Sequence, residues 1–131
     1  MDQIVLLDTH VFLWWAADRS RLSRTAARVL ARAGTLLLAD ISLREIALLV
    51  ARGRIELTDD PGPWMNAAID SMNITVVEIS PAIAARSTRI APHFHDDPAD
   101  QLITATAIEF DVPLVTADER LRASPAIRTI W

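Results

Sequence analysis

The 131-residue chain contains no cysteine, no lysine and no tyrosine, and only three glycines. Without cysteine it can form neither a disulfide framework nor a thiol nucleophile, which is typical of a protein from the reducing cytoplasm. The scarcity of glycine and the 51% share of hydrophobic residues indicate a globular protein and exclude a disordered one. All 13 basic residues are arginine. Arginine suits phosphate binding, but genomic base composition is the simpler explanation for a chain without lysine.

Long hydrophobic runs and an N-terminal targeting segment are also missing. The longest apolar candidate, residues 11–17, falls well short of the roughly 20 residues that a membrane span needs. Met1 is followed by Asp2 instead of by basic residues, so no signal peptide is expected. We therefore expect a cytoplasmic protein with no membrane partner, built as a single domain over residues 1–131.

Apolar runs alternate with helix-forming segments along the whole chain. Strands are predicted at 3–8, 36–41, 74–79 and 114–117, with a weak fifth at 127–130. Helices are predicted at 11–17, 25–33, 42–52, 64–72, 81–90, 98–110 and 119–123, with a turn at 59–63 and a loop at 93–97. This order predicts a three-layer α/β/α fold with a mostly parallel central sheet of four to five strands.

Four acidic residues lie where predicted elements begin or end. Asp8 follows the first strand and Asp118 the fourth, whereas Glu45 and Asp100 fall in the first turns of two helices. Ligands of open parallel sheets bind outside the carboxyl ends of strands, where the strand order reverses. If the first and fourth strands are neighbours there, Asp8 and Asp118 face each other. Acids that converge without a balancing lysine need a cation, and carboxylate oxygens suit Mg²⁺ or Mn²⁺. The pattern predicts a divalent-metal site and phosphoryl transfer.

Each acid also has a purely structural explanation. Asp8 could cap a helix starting near Thr9, although a carboxylate beside a buried strand is costly unless it is paired or bound to metal. Glu45 fits the capping box S-x-x-E with Ser42 as well as it fits ligation. Asp100 would be stabilised by the helix dipole in its first turn, where the preceding Asp97 is the better cap.

Asp118 could likewise cap the short helix that follows it. Thr116 lies two residues earlier, so its side chain should project to the same side as that of Asp118. Its hydroxyl could orient that carboxylate or hold a metal-bound water, or it could be an ordinary strand threonine.

Candidate contacts with substrate and partner are less distinct. The net charge of −4 argues mildly against a nucleic-acid partner, but the four clustered acids account for it if they hold metal. Arg24 and Arg28 recur, with Arg32, every four residues on one helix face, where they could track phosphates or form a simple solvated face. Trp14 and Trp15 are adjacent and point in different directions, so one could be core and the other part of a partner surface.

Four sequence blocks resemble the motifs of one family. They are Leu7-Asp8-Thr9-His10, Ser42-Leu43-Arg44-Glu45-Ile46, His95-Asp96-Asp97-Pro98-Ala99-Asp100 and Leu114-Val115-Thr116-Ala117-Asp118. They are similar to the motifs of PIN-domain proteins, and more narrowly to VapC-type ribonuclease toxins of bacterial toxin–antitoxin pairs. The resemblance covers essentially the whole chain. Ala99 replaces a commoner bulky residue, and His95-Asp96-Asp97 replaces a commoner His-Arg-Asp.

The resemblance implies a PIN-like fold and metal-dependent hydrolysis of RNA phosphodiester bonds. The family's acidic quartet corresponds to Asp8, Glu45, Asp100 and Asp118. Asp8, Asp100 and Asp118 would lie nearest the Mg²⁺ or Mn²⁺, and Glu45 would bind a second ion or position the attacking water. The resemblance also implies inhibition by a small antitoxin protein and a homodimer.

Three other functions compete with this interpretation. A phosphatase of the haloacid-dehalogenase type needs a second Asp two residues after the nucleophile, but His10 stands there. A signalling receiver domain needs a lysine at a late strand end, and this chain has none. A non-catalytic or regulatory nucleic-acid-binding module stays open, although its unneutralised acids would repel phosphate. The His93-x-His95 pair is weak evidence for a soft-metal site without a third ligand.

Overall fold

A five-stranded parallel sheet forms the centre of the protein. The computed structural model describes residues 3–90 and 97–131. Its strands are β1 (Ile4–Leu7), β2 (Thr35–Ala39), β3 (Ile74–Val77), β4 (Leu114–Val115) and β5 (Thr129–Ile130). They are arranged in the order β3-β2-β1-β4-β5, and every neighbouring pair is parallel. The predicted parallel α/β sheet is confirmed, and so is the expectation that the first and fourth strands are neighbours.

Seven α-helices cover the two faces of this sheet. They are α1 (Thr9–Ala17), α2 (Arg24–Arg32), α3 (Asp40–Ala51), α4 (Pro61–Ser71), α5 (Pro81–Ser87), α6 (Pro98–Phe110) and α7 (Glu119–Arg122) within the described ranges. A short 3₁₀ helix at Arg19–Arg21 joins α1 to α2. None of these helices is long and apolar enough to cross a membrane.

Alternating strand side chains supply two separate cores. Val5 and Leu7 of β1 belong to the core under α1 to α4, whereas Leu6 between them belongs to the core under α5 to α7. Successive side chains of a strand point to opposite faces, so a strand buried on both sides has a continuous apolar sequence. Burying one such leucine contributes about 1.5–3 kcal/mol, and the two cores together fix the three-layer α/β/α architecture.

Several helix boundaries differ from the predicted ones. Helix α4 begins at Pro61 instead of 64, so most of the predicted turn at 59–63 is helical. Prolines are tolerated there because first-turn N–H groups have no partner within the helix, and the N–H of Trp64 closes that turn on the carbonyl of Asp60 at 3.0 Å. Helix α5 ends at Ser87 instead of 90, and residues 93–96 of the predicted loop lie outside the described ranges.

Helix α3 begins two residues before the predicted N-cap, Ser42. The strand was predicted to continue to residue 41, but it stops at Ala39. Ala39 is also the N-cap of α3. Asp40 then opens α3, and its Oδ2 accepts a hydrogen bond of 3.1 Å from the N–H of Ile79, just after β3. A tertiary contact therefore anchors the helix start. At its other end α3 finishes as predicted near Gly53, whose φ of +67° lies in the left-handed region that favours glycine.

Candidate active site

The candidate site lies where the order of the strands reverses, between β1 and β4. The last residue of β1, Leu7, is in register with Val115, the last residue of β4. One residue further on, the N–H of Asp8 donates to the carbonyl of Val115 at 3.0 Å. Asp8 and Thr116 therefore emerge side by side at the carboxyl edge of the sheet, where parallel α/β folds bind their ligands.

Asp8 is a buried carboxylate held at both oxygens. Only 8% of the residue is exposed. Its Oδ1 accepts a hydrogen bond of 2.9 Å from the N–H of Thr9, and its Oδ2 accepts one of 2.7 Å from the hydroxyl of Thr116. Asp8 thus caps α1, as its structural explanation predicted, and is also buried in the acidic cluster. Burial raises the pKa of Asp8 above its ordinary value although both hydrogen bonds act to lower it.

The Thr116 hydroxyl serves a different acid from the one predicted. It donates to Asp8 and accepts the backbone N–H of Asp118 at 3.0 Å, so no hydrogen bond joins it to the carboxylate of Asp118. Of the three roles considered for Thr116, the structure shows no direct orientation of the Asp118 carboxylate, because β4 lies beside β1 and brings the hydroxyl to the end of β1. Thr116 is nevertheless a part of the site.

Glu45 makes no capping box with Ser42. Since α3 begins at Asp40, Glu45 lies in the second turn, and its Oε1 accepts a hydrogen bond from the hydroxyl of Thr9 on α1. The hydroxyls of Thr9 and Ser42 are 2.8 Å apart. Two neutral hydroxyls on different helices therefore fix the position of this carboxyl group without neutralising it.

The pKa of Glu45 is raised from 4.5 to about 7. Burial is the largest cause, and the negative charges of Asp8, Asp100 and Asp97 raise it further against the hydrogen bond from Thr9. Glu45 therefore lies within the electrostatic reach of two other quartet members. A carboxyl group with a pKa near neutrality is common at functional sites, because catalysis requires a group that can gain and lose a proton.

Asp100 is buried in the first turn of α6, with 7% of the residue exposed. Asp97 caps this helix as predicted, because its Oδ1 accepts the N–H groups of Ala99 at 3.0 Å and of Asp100 at 3.3 Å. The cap of α6 is therefore Asp97, whereas the acid that belongs to the candidate site is Asp100. The negative charge of Asp100 raises the pKa of Glu45 on α3 and that of Arg120 on α7.

Asp118 completes the quartet from the end of β4. Its Oδ1 accepts the N–H of Arg120 at 2.9 Å, which caps α7, and its Oδ2 lies 3.5 Å from the Arg120 guanidinium. Burial alone would raise the pKa of Asp118, but the backbone and side-chain hydrogen bonds of Arg120, with its positive charge, lower it. Its negative charge also acts on Asp8. The structure thus connects all four predicted acids.

The donor set fits a hard divalent cation. It consists of carboxylate and hydroxyl oxygens, and three acids raise the pKa of Glu45. As they stand, no three His, Asp or Glu side chains in residues 3–90 and 97–131 are close enough to hold one ion together. Mg²⁺ does not need such a cage, because it keeps several waters and binds through one or two protein carboxylates.

Arg24 and Arg28 share no hydrogen bond or ion pair with the four acids among the residues that the structure describes. Both are exposed on α2, which leads into the start of β2. The N–H of Gly34, just after α2, donates to the carbonyl of Gln3 in front of β1 at 2.9 Å. The end of α2 therefore lies at the amino edge of the sheet, opposite the acids. Their contact with RNA stays a prediction.

The two adjacent tryptophans have different surroundings. Trp15 packs against the core beneath α1 to α4, and the guanidinium of Arg19 lies 3.6 Å from the centre of its ring. Trp14 contacts the rings of His10 and Trp131, each with centroids 5.9 Å away. It also lines an open groove of about 440 Å³. Both tryptophans are partly exposed, and their contact with a partner stays a prediction.

Three residues of the site were not identified as such from the sequence. Thr9 and Ser42 carry the hydroxyls behind Glu45, and Arg120 pairs with Asp118. A local signal existed for two of them, since Thr9 follows Asp8 directly and Arg120 follows Asp118 by two residues. Ser42 was noticed only as a helix cap.

Comparison with known proteins identifies the family of this chain. The profile of the PIN domain matches residues 5–126. The chain belongs to the PIN-domain family. It is 40% identical over 129 residues to Ribonuclease VapC22 from Mycobacterium tuberculosis, which covers 97% of this chain and 98% of that protein. This relationship confirms the predicted resemblance to VapC-type proteins.

Solved structures show the same fold at much lower sequence identity. VapBC2 from Rickettsia felis, bound to a DNA fragment from its promoter, aligns with a TM-score of 0.72 and 15% identity over 97% of each chain. DNA-bound VapBC from Salmonella typhimurium aligns with a TM-score of 0.69 and 17% identity, over 98% of this chain and 97% of that one. At such identities the likeness concerns the fold alone.

Proposed function

We propose that this PIN-domain protein is a Mg²⁺- or Mn²⁺-dependent endoribonuclease that hydrolyses RNA phosphodiester bonds. The observation that carries the proposal is the electrostatic interaction among acids that follow β1 and β4 and acids on α3 and α6, at the edge where the strand order reverses. The 40% identity with a protein named as a ribonuclease supports the reaction class. The chemistry of the oxygen donors supports the divalent cation.

Asp8, Asp100 and Asp118 are the proposed metal-binding residues, one or two of which would bind the ion directly and the rest through water. A bound ion would polarise the phosphate, lower the pKa of a bound water and offset developing negative charge. Glu45 would position the attacking water and accept its proton as the new phosphorus–oxygen bond forms, for which a pKa of about 7 is well matched to neutral pH. The hydroxyl of Thr9 occupies Oε1 of Glu45, so Oε2 is the oxygen proposed to accept the proton. The bond from phosphorus to the leaving ribose oxygen breaks, and that oxygen takes a proton from solvent.

Replacing Asp8 by asparagine tests the proposal. The variant Asp8→Asn keeps the shape of the side chain but removes its charge. We expect cleavage of RNA in Mg²⁺ or Mn²⁺ to fall by about 10²–10³-fold or more, as when a key electrostatic group is removed from an active site. Sequencing of RNA ends after induced expression identifies the substrate, and an oligonucleotide containing that site gives the rate.

The control variant is Asp70→Asn, at an exposed position of α4. It should cleave like the wild type. Cleavage at the wild-type rate by a pure and folded Asp8→Asn sample would overturn the assignment. Metal titration separates the nuclease from a non-catalytic binding module: Mg²⁺ or Mn²⁺ should raise the Tm of the wild type, and Asp8→Asn should remove that effect.

We also propose that the protein acts in the cytoplasm as the toxin of a toxin–antitoxin pair and forms a homodimer. The relative named as a VapC ribonuclease and the similar folds solved as VapBC assemblies support the pairing. The groove that Trp14 lines offers the antitoxin a surface of apolar and charged residues. A short reading frame beside this gene, encoding a DNA-binding segment, is the expected antitoxin. The absence of such a reading frame would contradict the pairing with an antitoxin. A monomeric mass in solution would contradict the homodimer.

A further inference from the structure

A second groove, of about 290 Å³, opens directly beside the acidic cluster. It lies between one face of α3 and the first turn of α6, and the acids Glu45 and Asp97 form part of its wall. The apolar part of the lining comes from Ile41 and Leu48 on α3 and from Pro98 and Ala99 on α6. The groove is therefore continuous with the proposed catalytic centre and has an apolar floor.

Arg44 on α3 and Arg52, the residue that ends this helix, line the same groove. Arg44, Leu48 and Arg52 are spaced four residues apart, which places them along one side of the helix. Arg44 and Arg52 are about 12 Å apart along the helix axis, at 1.5 Å per residue. Both are exposed, and neither forms an ion pair within the part of the chain that the structure describes. Arg120, by contrast, is already paired with Asp118.

The combination of exposed arginines and apolar residues in this groove suits the binding of a nucleotide. The converging carboxylates repel an RNA backbone, so a substrate strand requires compensating cations at their border. Arginine offers a planar fork that matches the phosphate oxygens. An apolar floor between such cations suits a base, because proteins bind single-stranded nucleic acid by contacts with the base faces beside a positively charged track.

We propose that this α3–α6 groove binds the nucleotide next to the cleaved phosphodiester bond. Arg44 and Arg52 contact the flanking phosphates, and Leu48 with Ile41 contacts the base. The inference rests on the proposed ribonuclease activity and extends it to the residues that bind the substrate. It also separates these arginines from Arg24 and Arg28, whose helix leads to the opposite edge of the sheet.

Paired substitutions of arginine test the phosphate contacts. In the non-cleaving Asp8→Asn background, Arg44→Ala with Arg52→Ala should weaken binding of a single-stranded RNA oligonucleotide that the wild type cleaves, by about 10-fold or more. The slope of log K against log salt should fall by about 1.4, since each lost phosphate contact on a single strand removes about 0.7. The comparison pair, Arg24→Ala with Arg28→Ala, removes the same charge from α2 and should change both quantities less than the Arg44/Arg52 pair does.

The cleaving protein supplies the second measurement. With Asp8 intact, the Arg44/Arg52 variant should raise KM while kcat stays within a few-fold of the wild type. Leu48→Ala should reduce the difference in kcat/KM between oligonucleotides that differ only in the nucleotide beside the cleaved bond. Thermal melting of each variant shows that it is folded.

The outcomes distinguish this inference from the proposed function. Unchanged affinity and salt slope in the Arg44/Arg52 variant overturn the inference, while the ribonuclease proposal stands if the wild type cleaves and Asp8→Asn does not. The inference also fails if the Arg44/Arg52 variant binds RNA normally but no longer self-associates or binds the antitoxin. The groove would then be a protein-binding surface. If the wild type cleaves no RNA, the proposed function itself fails.

Discussion

The two sides of the acidic cluster are held by different kinds of partner. Asp8 and Glu45 receive hydrogen bonds from the hydroxyls of Thr116 and Thr9, and the pKa of each is raised. Asp118 is paired with the guanidinium of Arg120, and its pKa is lowered. On one side a buried Asp8 and a half-buried Glu45 are held by neutral groups, and on the other a partly exposed Asp118 is compensated by a cation.

This difference shows how a protein can fix a carboxylate without neutralising it. A hydroxyl orients an acid through one hydrogen bond and leaves its negative charge available, whereas an arginine cancels much of that charge. The uncompensated charge on the Asp8 side has a cost in stability that a divalent cation would offset. We infer that the Asp8–Glu45 side supplies most of the attraction for metal and that Asp118 supplies less.

Among the substitutions that test this difference between the two sides, removal of the Thr116 hydroxyl should have the largest effect. Thr116→Val preserves the shape of the side chain but deletes the 2.7 Å bond to Asp8. Groups that orient metal ligands typically contribute 10–100-fold to metal affinity or activity. We expect the Kd for Mn²⁺ to rise by about 10–100-fold, with a matching loss of cleavage at limiting metal. Calorimetric titration of the folded variant gives the affinity.

The control for this variant is Thr75→Val, at an exposed position of β3, which should bind Mn²⁺ as the wild type does. Thr116 also accepts the N–H of Asp118, so some loss of stability is expected as well. An unchanged affinity for Mn²⁺ in Thr116→Val would show that the hydroxyl does not prepare Asp8 for metal.

Glu45 should make the metal-free protein less stable as the pH rises. Its pKa is about 7 in the folded protein against an ordinary 4.5, so between those values the folded state keeps a proton that the unfolded state has lost. The free energy of unfolding therefore falls from pH 4.5 to pH 7 and is level above that range. Glu45→Gln should remove about 1–2 kcal/mol of this loss, after allowance for solvent screening of a partly exposed group.

Urea unfolding in the presence of a metal chelator, repeated over a range of pH, measures this change in the free energy of unfolding. At pH 8 the glutamine variant should be more stable than the wild type, and below pH 4.5 the difference should vanish. Asp8, whose pKa is also raised, is present in both proteins and contributes a loss of the same sign to each. Parallel stability curves from pH 4 to pH 8 would mean that Glu45 ionises in the folded protein as it does in the unfolded chain.

The positions of Asp8 and Asp118 followed from the sequence because they depend on topology. Both acids end continuous apolar runs, and parallel strands place their carboxyl ends at one edge of the sheet. The caps supplied by Ser23, Ser80 and Asp97 were equally predictable, because each bonds a backbone N–H two or three residues away.

The partners of the acids were predictable only where they are local. Ser42 and Glu45 match a capping box, but that signature does not fix where the helix begins. The contact of Asp40 with Ile79, 39 residues away, belongs to the tertiary structure. Thr116 and Asp8 are separated by 108 residues, and no local pattern indicates that such a hydroxyl and carboxylate will meet.

Removing the cation from the Asp118 side should have the smallest effect, with the opposite sign. Arg120 lies 3.5 Å from Asp118, and 63% of its side chain is exposed, so Arg120→Ala should leave the Tm unchanged within error. Because the guanidinium competes with metal for this carboxylate, the variant should bind Mn²⁺ more tightly, by at most about five-fold. The gain should shrink in high salt, where exposed charges are screened. Weaker Mn²⁺ binding by Arg120→Ala would reverse the comparison, because Arg120 would then orient Asp118 for metal as Thr116 is proposed to orient Asp8.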